Sequence, residues 1–442
     1  MRTLLLILMF AHSACASERL RVFVETDAGG DPDDEQSMVR FLLYANEWDV
    51  QGIIANRPTA RDGENQNKER TGLGIVRQLI NAYGQCYTNL VQHDANYPPA
   101  AKLLERTVAG YDDTQDGENL LIKAVDGPDP RPLWYMDWGT DHGAATNNMK
   151  RVLARILRER GEDGYAKFKS KLRMICTESL LPEDNERQPA WTFWISTWQP
   201  PMDGKRWYHR FSAISAEAGG FNIVRDVLTG HGPLGALYPT NTTHWLKEGD
   251  SPSFLYLVPT GMNDPMQPTW GSWAGRYGFQ DKANGRPYYW ANQLDNWSGS
   301  TNRDNVLKRW AKHLQNDFRA RMDWCIKPSS EANHPPRLSL AGQNELGIAY
   351  INCEPGERIR LDATGSSDPD DQAIDYDWFV YPEPGTYQGY ANVDAGNAPR
   401  ARIIVPEDAA GKTIHIILSA TDSGEPPLTR YRRAILNVKG KQ

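Results

Sequence analysis

Residues 19–58 read RLRVFVETDAGGDPDDEQSMVRFLLYANEWDVQGIIANRP, and three periodicities follow one another along them. The opening RLRVFVET has the β-branched and aromatic centre of a strand. In DEQSMVRFLLYANE, the side chains Met38, Phe41, Leu42 and Ala45 recur at helical spacing and share one face. WDVQGIIANRP is a second strand, ended at Asn56-Arg57-Pro58. Strand, helix and strand in this order make a βαβ unit. Such a unit implies a right-handed crossover and a parallel sheet with helices on its faces.

The alternation continues outward. RTGLGIVRQLINAYG (70–84) reads as a helix, PLWYMDWG (132–139) as a strand, NNMKRVLARILRER (147–160) as a helix and LRMICT (172–177) as a strand. Through about residue 200 this predicts an α/β domain, a mostly parallel, doubly wound sheet flanked by helices. Trp, Gly and Pro then blur the pattern, with helical stretches near 221–228 and 304–322. CIKPSSEANHPPRLSL (325–340) is polar and Pro-rich, a linker. Beyond it RIRLDATGSSDPDDQAIDYDWFVYPEPGTY, ARIIVPE, TIHIILSATDS and YRRAILNV alternate apolar and polar residues between turn clusters, the texture of a small all-β sandwich.

At the N-terminus, MRTLLLILMFAHSACAS carries one Arg, an apolar run from Leu4 to Ala11, and Ala14-Cys15-Ala16. This is the form of a secretory leader cleaved after Ala16, so export to the periplasm or beyond is expected. The run is too short to span a bilayer, and His12-Ser13-Ala14 suits lipidation of Cys15 poorly. No membrane association is expected after cleavage. The expected organisation is a leader over 1–16, an α/β domain over 18–326 and a β-sandwich over 336–442.

A chain of 442 residues exceeds one compact core, which agrees with two domains. Its net charge of −7, with no local Lys/Arg cluster, argues against nucleic acid as a partner. The 15 Trp and 19 Tyr supply rings that either stack on sugars or fill core. Past the leader stand Cys86, Cys176, Cys325 and Cys353, at spacings that match no metal pattern. Cys325 and Cys353 flank the domain boundary, and the two readings are a disulfide between them or buried free thiols.

Between the first strand and the first helix lie Glu25, Asp27, Asp31, Asp33, Asp34 and Glu35, and Arg40 is the only basic residue within 24–40. DPDD recurs at 368–371 between strands of the all-β region, where Asp, Pro and Ser read as a turn that also has room for a structural calcium. The first copy leaves the carboxyl end of a parallel strand, where open α/β sheets bind ligands. Gly29 and Gly30 free the backbone to turn there. Helix capping accounts for one or two carboxylates at the helix start. Crowding four raises their pKa by mutual repulsion, which a hard divalent cation such as Ca²⁺, with 6–8 oxygen ligands, removes. The spacing is not that of an EF-hand, so further ligands must come from distant segments.

These residues resemble the inosine–uridine-type nucleoside hydrolases, whose first strand ends in D-x-D-P-G-x-D-D around a calcium ion. Here the equivalent is Glu25-Thr26-Asp27-Ala28-Gly29-Gly30-Asp31-Pro32-Asp33-Asp34, with Glu25 in place of the first Asp and two extra residues before the final pair. GGDPDDEQS and EGDSPSFLYLVPTGMNDP…WGSWAGRY (248–277) are most similar to a nucleoside-hydrolase-like branch of secreted proteins described as cellulose-binding. That branch also carries a C-terminal sandwich like that of polycystic-kidney-disease domains, with a DATGSSDPDD…YDW motif as here. The resemblance implies Ca²⁺ held by Asp27, Asp34 and Asp250 with Asp31 or Asp33 in support, and a backbone carbonyl near Trp138-Gly139. It implies Asp27 as general base on the metal-bound water and Asn56 as a sugar-hydroxyl ligand. The family's proton-donating His before the late Asp is Gly249 here, which leaves His231, His244 or Glu248 to serve the leaving group. His244 is the candidate taken forward.

The chemistry is coherent on its own terms. Glycosidic cleavage passes through an oxocarbenium-like state that needs an activated water on one face and leaving-group stabilisation on the other. WYMDWGTDHGAATNN (134–148) offers Asp137, Asp141, His142 and Asn148, either rimming the same crevice or capping the next helix through Thr140 or Asp141. Trp191, Trp194, Trp198, Trp270 and Trp273 suit sugar stacking or interface packing. Two functions follow as expectations. One is a secreted calcium-dependent hydrolase of N-glycosyl or related glycosidic bonds, acting on carbohydrate or nucleoside-like small molecules. The other is a non-catalytic binder of cellulose or similar polysaccharide.

Overall fold

The computed structural model describes residues 19–440 except 64, 113, 140–146, 178–192, 198–212, 215–219, 241–246, 281–287, 292 and 345. Its first domain holds β1 Leu20–Thr26, β2 Trp48–Ala55, β3 Thr107–Ala109, β4 Leu133–Asp137, β5 Leu172–Cys176, β6 Trp194–Ser196, β7 Gly278–Gln280 and β8 Tyr288–Trp290. They form one sheet in the order β3-β2-β1-β4-β5-β6-β8-β7, parallel throughout except for β7 against β8. The first crossover is helix α1, Asp33–Leu43, and the second contains α2, Gly72–His93.

Alternation along β1 builds both faces of the sheet. Val22 and Val24 pack with Met38, Phe41 and Leu42 of α1 and Ile75, Val76 and Leu79 of α2. Phe23 points the other way, into a separate core with Leu121, Val152 and Ile156 of the helices Asp116–Asp126 and Asn148–Ser170. Each such side chain, fully buried, contributes about 1.5–3 kcal/mol of transfer free energy. The predicted apolar face of α1 is therefore the buried one, and Met38, Phe41, Leu42 and Ala45 have no exposed surface. A shift in the β1–β2 register sets Phe23 opposite Gly52, where a Cβ would lie 2.3 Å from the Phe23 ring. That residue is Gly because the ring occupies the space.

Strand order reverses about β1, since the chain runs outward through β2 and β3 and then returns to β4 on the other side. At such a reversal open α/β sheets place their ligand crevice beyond the carboxyl ends of the flanking strands, here β1 and β4. The predicted α/β domain and the predicted sandwich are both present. The sandwich pairs a four-stranded sheet, ordered Ala349–Cys353, Thr429–Val438, Thr413–Asp422, Ile374–Val380, with a three-stranded one, Arg358–Asp362, Arg400–Ile404, Val393–Asp394. Its core includes Leu361, Trp378, Ile403, Ile416 and Leu436.

The two domains share apolar core. Trp310, on the helix Asn305–Trp324, meets Tyr431 and Tyr381 of the sandwich edge-on, with ring centroids 5.5 and 5.9 Å apart. Buried Arg433 donates to the carbonyls of Met262 at 2.7 Å and Trp270 at 2.8 Å. Trp270 and Trp273 thus serve the interface and Trp194 fills the sheet core, while Trp191 and Trp198 lie outside the described residues. All four described cysteines are free and buried. Of the two readings of Cys325 and Cys353, buried free thiols and not a disulfide is the one found, and the Cys353 thiol points to the Asn437 carbonyl at 3.9 Å within its own sheet.

Candidate metal and catalytic centre

Asp27 follows the last residue of β1, and the chain turns at once. Gly30 N–H donates to the Asp27 carbonyl at 2.9 Å, and Gly29 between them has φ +97°, the left-handed region open to glycine. α1 then begins with Asp33, Asp34 and Glu35 in its first turn. One carboxylate oxygen from each of Asp31, Asp33 and Asp34 lies within 4.8 Å of the others. The Asp34 carboxyl hydrogen-bonds to Asp27, that of Asp33 to Asp31, and Thr26 Oγ1 donates to Asp34 Oδ1.

Late residues complete the crevice. Gln36 of α1 accepts the N–H groups of Lys247 and Glu248 at 3.0 and 3.1 Å, which brings Asp250 beside Asp34. Ser253 donates to the Asp250 carbonyl at 2.7 Å and accepts from Trp138 Nε1 at 2.7 Å, tying this turn to the end of β4. Gly139 reaches so close that a Cβ on it would stand 3.0 Å from Asp27 Oδ1. The expected ligands Asp27, Asp31, Asp33, Asp34 and Asp250 and the Gly139 carbonyl therefore surround one crevice.

Its electrostatics are those of too many acids in too little water. Burial raises Asp27, and burial with the charges of Asp250, Asp27 and Asp33 raises Asp34 far above the usual carboxylate range. Asp33 is raised in the same way by burial and by Asp31. Burial pushes Asp31 up too, but hydrogen bonds from Asp33 and Lys247 and the charges of Lys247 and Arg61 pull it down to about 2. Acids this close require either shared protons or a cation to offset their repulsion. Every donor is a hard oxygen, which fits Ca²⁺.

Two cations that the sequence reading overlooked enter here. Arg57 Nη2 pairs with Asp27 Oδ2 at 3.2 Å, and Lys247 Nζ pairs with Asp31 Oδ2. The signal for Arg57 was its place beyond β2, since the parallel register that sets Ala55 beside Thr26 carries Asn56 and Arg57 to the end of β1. Arg40, the basic residue of the stretch 24–40, turns away and pairs with Glu248 at 2.6 Å.

Other expected residues have other duties. Asn56 is fully buried and donates to the Gly139 carbonyl at 3.1 Å and to Glu25 at 3.3 Å; its Oδ1 has no hydrogen-bond partner among the described residues. Glu25 leaves the acidic group altogether, because strand alternation turns it to the opposite face. There it accepts from Tyr135 Oη and from the backbone and side chain of Asn148 at 2.9 and 2.8 Å. Asn148 is thus an anchor beneath the crevice, and Asp137 beside it accepts the Gly139 N–H at 3.1 Å. The cap of the helix Asn148–Ser170 is Asn147 rather than Thr140 or Asp141, which with His142 lie outside the described residues. His244 also lies outside them. His231 is paired with Asp323 at 3.1 Å, and Glu248 is locked by Arg40, Tyr238 and Ser251, so neither is placed to protonate a leaving group.

A model of the nucleoside-hydrolase-like domain of cellulose-binding Sde182 proteins matches residues 21–277, and one of the cellulose-binding protein Sde0182 C-terminal domain matches residues 358–438. Among solved structures, a nucleoside hydrolase-related hypothetical protein from Saccharophagus degradans, described as associated with carbohydrate metabolism, is 31% identical. The alignment covers 95% of this chain and 100% of that one, with a TM-score of 0.74. The PKD domain of the KIAA 1837 protein is 18% identical over 21% of this chain and 85% of its own, with a TM-score of 0.17, too low to carry any argument. No curated protein matches the chain.

Proposed function

Because the chain belongs to the cellulose-binding Sde182 family with its nucleoside-hydrolase-like domain, we propose that it is an exported, Ca²⁺-dependent hydrolase of N-glycosyl or related glycosidic bonds. The observation that carries this reading is the cluster at the end of β1, where carboxylate oxygens of Asp31, Asp33 and Asp34 lie within 4.8 Å of one another with Asp27 and Asp250 beside Asp34. Asp27, Asp33, Asp34 and Asp250 with the Gly139 carbonyl would hold the ion, and Asp31 would support them through Asp33. When bound, calcium would orient a water molecule and lower its pKa. Asp27, oriented by Arg57 and held ionised by the ion once it is bound, would take the proton from that water. The buried Asn56 Oδ1 is the acceptor left for a sugar hydroxyl. Five carboxylates set against Arg57, Arg61, Lys247 and one divalent ion leave the crevice neutral, which suits an uncharged sugar.

A second reading, polysaccharide binding without cleavage, is favoured by one observation: His231 and Glu248 are both committed to structural ion pairs. One experiment separates the readings. Purified protein with calcium is screened on nucleosides, glycosides and cello-oligosaccharides beside Asp27→Asn, and calcium binding is followed by calorimetry against a chelated control. Sugar release by the wild type alone supports the hydrolase. Oligosaccharide binding without release supports the second reading, and equal release by the variant removes Asp27 from the chemistry.

A further inference from the structure

We propose that Cys86 and Cys325 form a disulfide in the exported protein, joining the middle of α2 to the end of the helix Asn305–Trp324. Both residues are only 2% exposed. Asn89, one turn on from Cys86, donates its side-chain amide to the Cys325 carbonyl at 3.0 Å. A Cβ built on Gly232 would lie 3.5 Å from Cys86 Sγ and 3.3 Å from Ile326, the neighbour of Cys325, so one small residue fills the corner where the two helices meet. The two thiols lie within hydrogen-bond reach of each other, and the Cys325 thiol also donates to the Arg321 carbonyl on its own helix at 3.7 Å.

That contact prepares the pair for exchange. The hydrogen bond from Cys325 lowers Cys86, against its burial, and the backbone N–H of Leu234 adds to the effect; the same bond, with burial, raises Cys325. Of the two, Cys86 is therefore the thiol that gives up its proton more readily to become the attacking thiolate. Neither other described cysteine is so placed, as Cys176 is buried in β5 and Cys353 lies in the sandwich sheet.

The oxidant is an external disulfide, either oxidised glutathione or the disulfide of an exported thiol oxidase. The Cys86 thiolate attacks one of its sulfurs, forming a mixed disulfide and expelling one thiolate. Cys325 gives its proton to solvent, and its sulfur displaces the second thiolate from Cys86. Two protein thiols become one disulfide and the external disulfide becomes two thiols, so electrons and protons balance.

The mature chain from residue 17, which lacks Cys15 and so carries four cysteines, is refolded in a glutathione redox buffer and, separately, recovered from an oxidising compartment; both samples are alkylated in denaturant, weighed and digested without reductant. The expected result is two alkylated cysteines, a peptide joining Cys86 to Cys325, and a melting temperature on the order of 5 °C above that of the reduced protein. Cys86→Ser should show three alkylated cysteines. Four alkylated cysteines in the refolded wild type, or a link through Cys176 or Cys353, would overturn the proposal. If the variant does not fold, the wild-type peptide alone decides. Calcium binding and hydrolysis have no bearing on either outcome.

Discussion

Asp34→Asn separates the two roles that a carboxylate plays in the crevice at the end of β1. Asp34 is buried, accepts from Thr26 and lies in the fields of Asp27, Asp33 and Asp250. Asparagine keeps its shape and the acceptor for Thr26 but removes the charge. In chelator, the loss relieves repulsion. Two ionised neighbours about 5 Å apart repel by roughly 3 kcal/mol at an effective dielectric of 20. The protons already bridging the acids blunt most of that, so the chelated variant should gain about 1 kcal/mol, or roughly 2–4 °C. In calcium the sign reverses. Losing one charged ligand should cost about 3–4 kcal/mol of binding, or roughly 200–1000-fold in affinity. At calcium 100 times the wild-type dissociation constant, mass action stabilises the wild type by about 2.7 kcal/mol and the variant by no more than about 0.3 kcal/mol. Melting curves in chelator and in graded calcium read both numbers from one sample. Asp371→Asn in the second DPDD, exposed and at φ 58°, should change neither. A variant that is less stable in chelator, or that keeps the full calcium gain, would refute the reasoning.

Three further perturbations test the frame around the crevice. Arg40→Met strands the buried Glu248 carboxylate, now paired at 2.6 Å, and urea unfolding should show a loss of about 3–5 kcal/mol. Gly52→Ala drives a Cβ to 2.3 Å from the Phe23 ring and should cost about 1–3 kcal/mol, part of it recovered by adding Phe23→Leu. His313 faces Tyr431 and Lys312 at the domain interface, and burial, with the Lys312 charge, holds it down at about 4. A depressed histidine favours folding in full above its ordinary value of 6.5 and loses that contribution as the pH falls towards 4. His313→Gln should therefore flatten the acid limb of stability by roughly 3 kcal/mol between those limits, measured by melting at stepped pH.

What the sequence made legible was local. The βαβ unit reads from 19–58 because the strand and helix periods lie side by side in it, and the ligand acids fall in one short turn. Thr107–Ala109 and Trp194–Ser196 escaped notice because three residues carry no measurable alternation. Arg57 and Lys247 escaped for a different reason: their role depends on register between β1 and β2 and on Gln36 gripping the chain at 247–248, neither of which is written in neighbouring residues. Glu25 misled through the same blindness. As a letter it stands for the first acid of the motif, but its position in the strand turns it towards Asn148.

The two DPDD copies show why composition alone never called for an ion. In the second copy Asp368 and Asp370 find their own donors, and Asp371 is exposed to water. Asp368 accepts the N–H groups of Asp370 and Gln372 at 2.9 and 3.2 Å. Asp370 takes the backbone N–H of His334 at 2.7 Å and its ring nitrogen at 3.0 Å, which pins the Pro-rich linker to the sandwich. Its charges are dispersed among separate partners, and a cation would have to displace those donors to bind. In the first copy, Asp33 and Asp34 turn inward and meet further acids from β1 and from the turn at 250, so their hydrogen bonds run from one carboxyl to another. Such bonds require protons that neutral water does not supply cheaply to several acids at once, and a divalent ion removes the requirement. A calcium response in melting must therefore survive Asp370→Asn, which loosens only the linker, and vanish with Asp34→Asn.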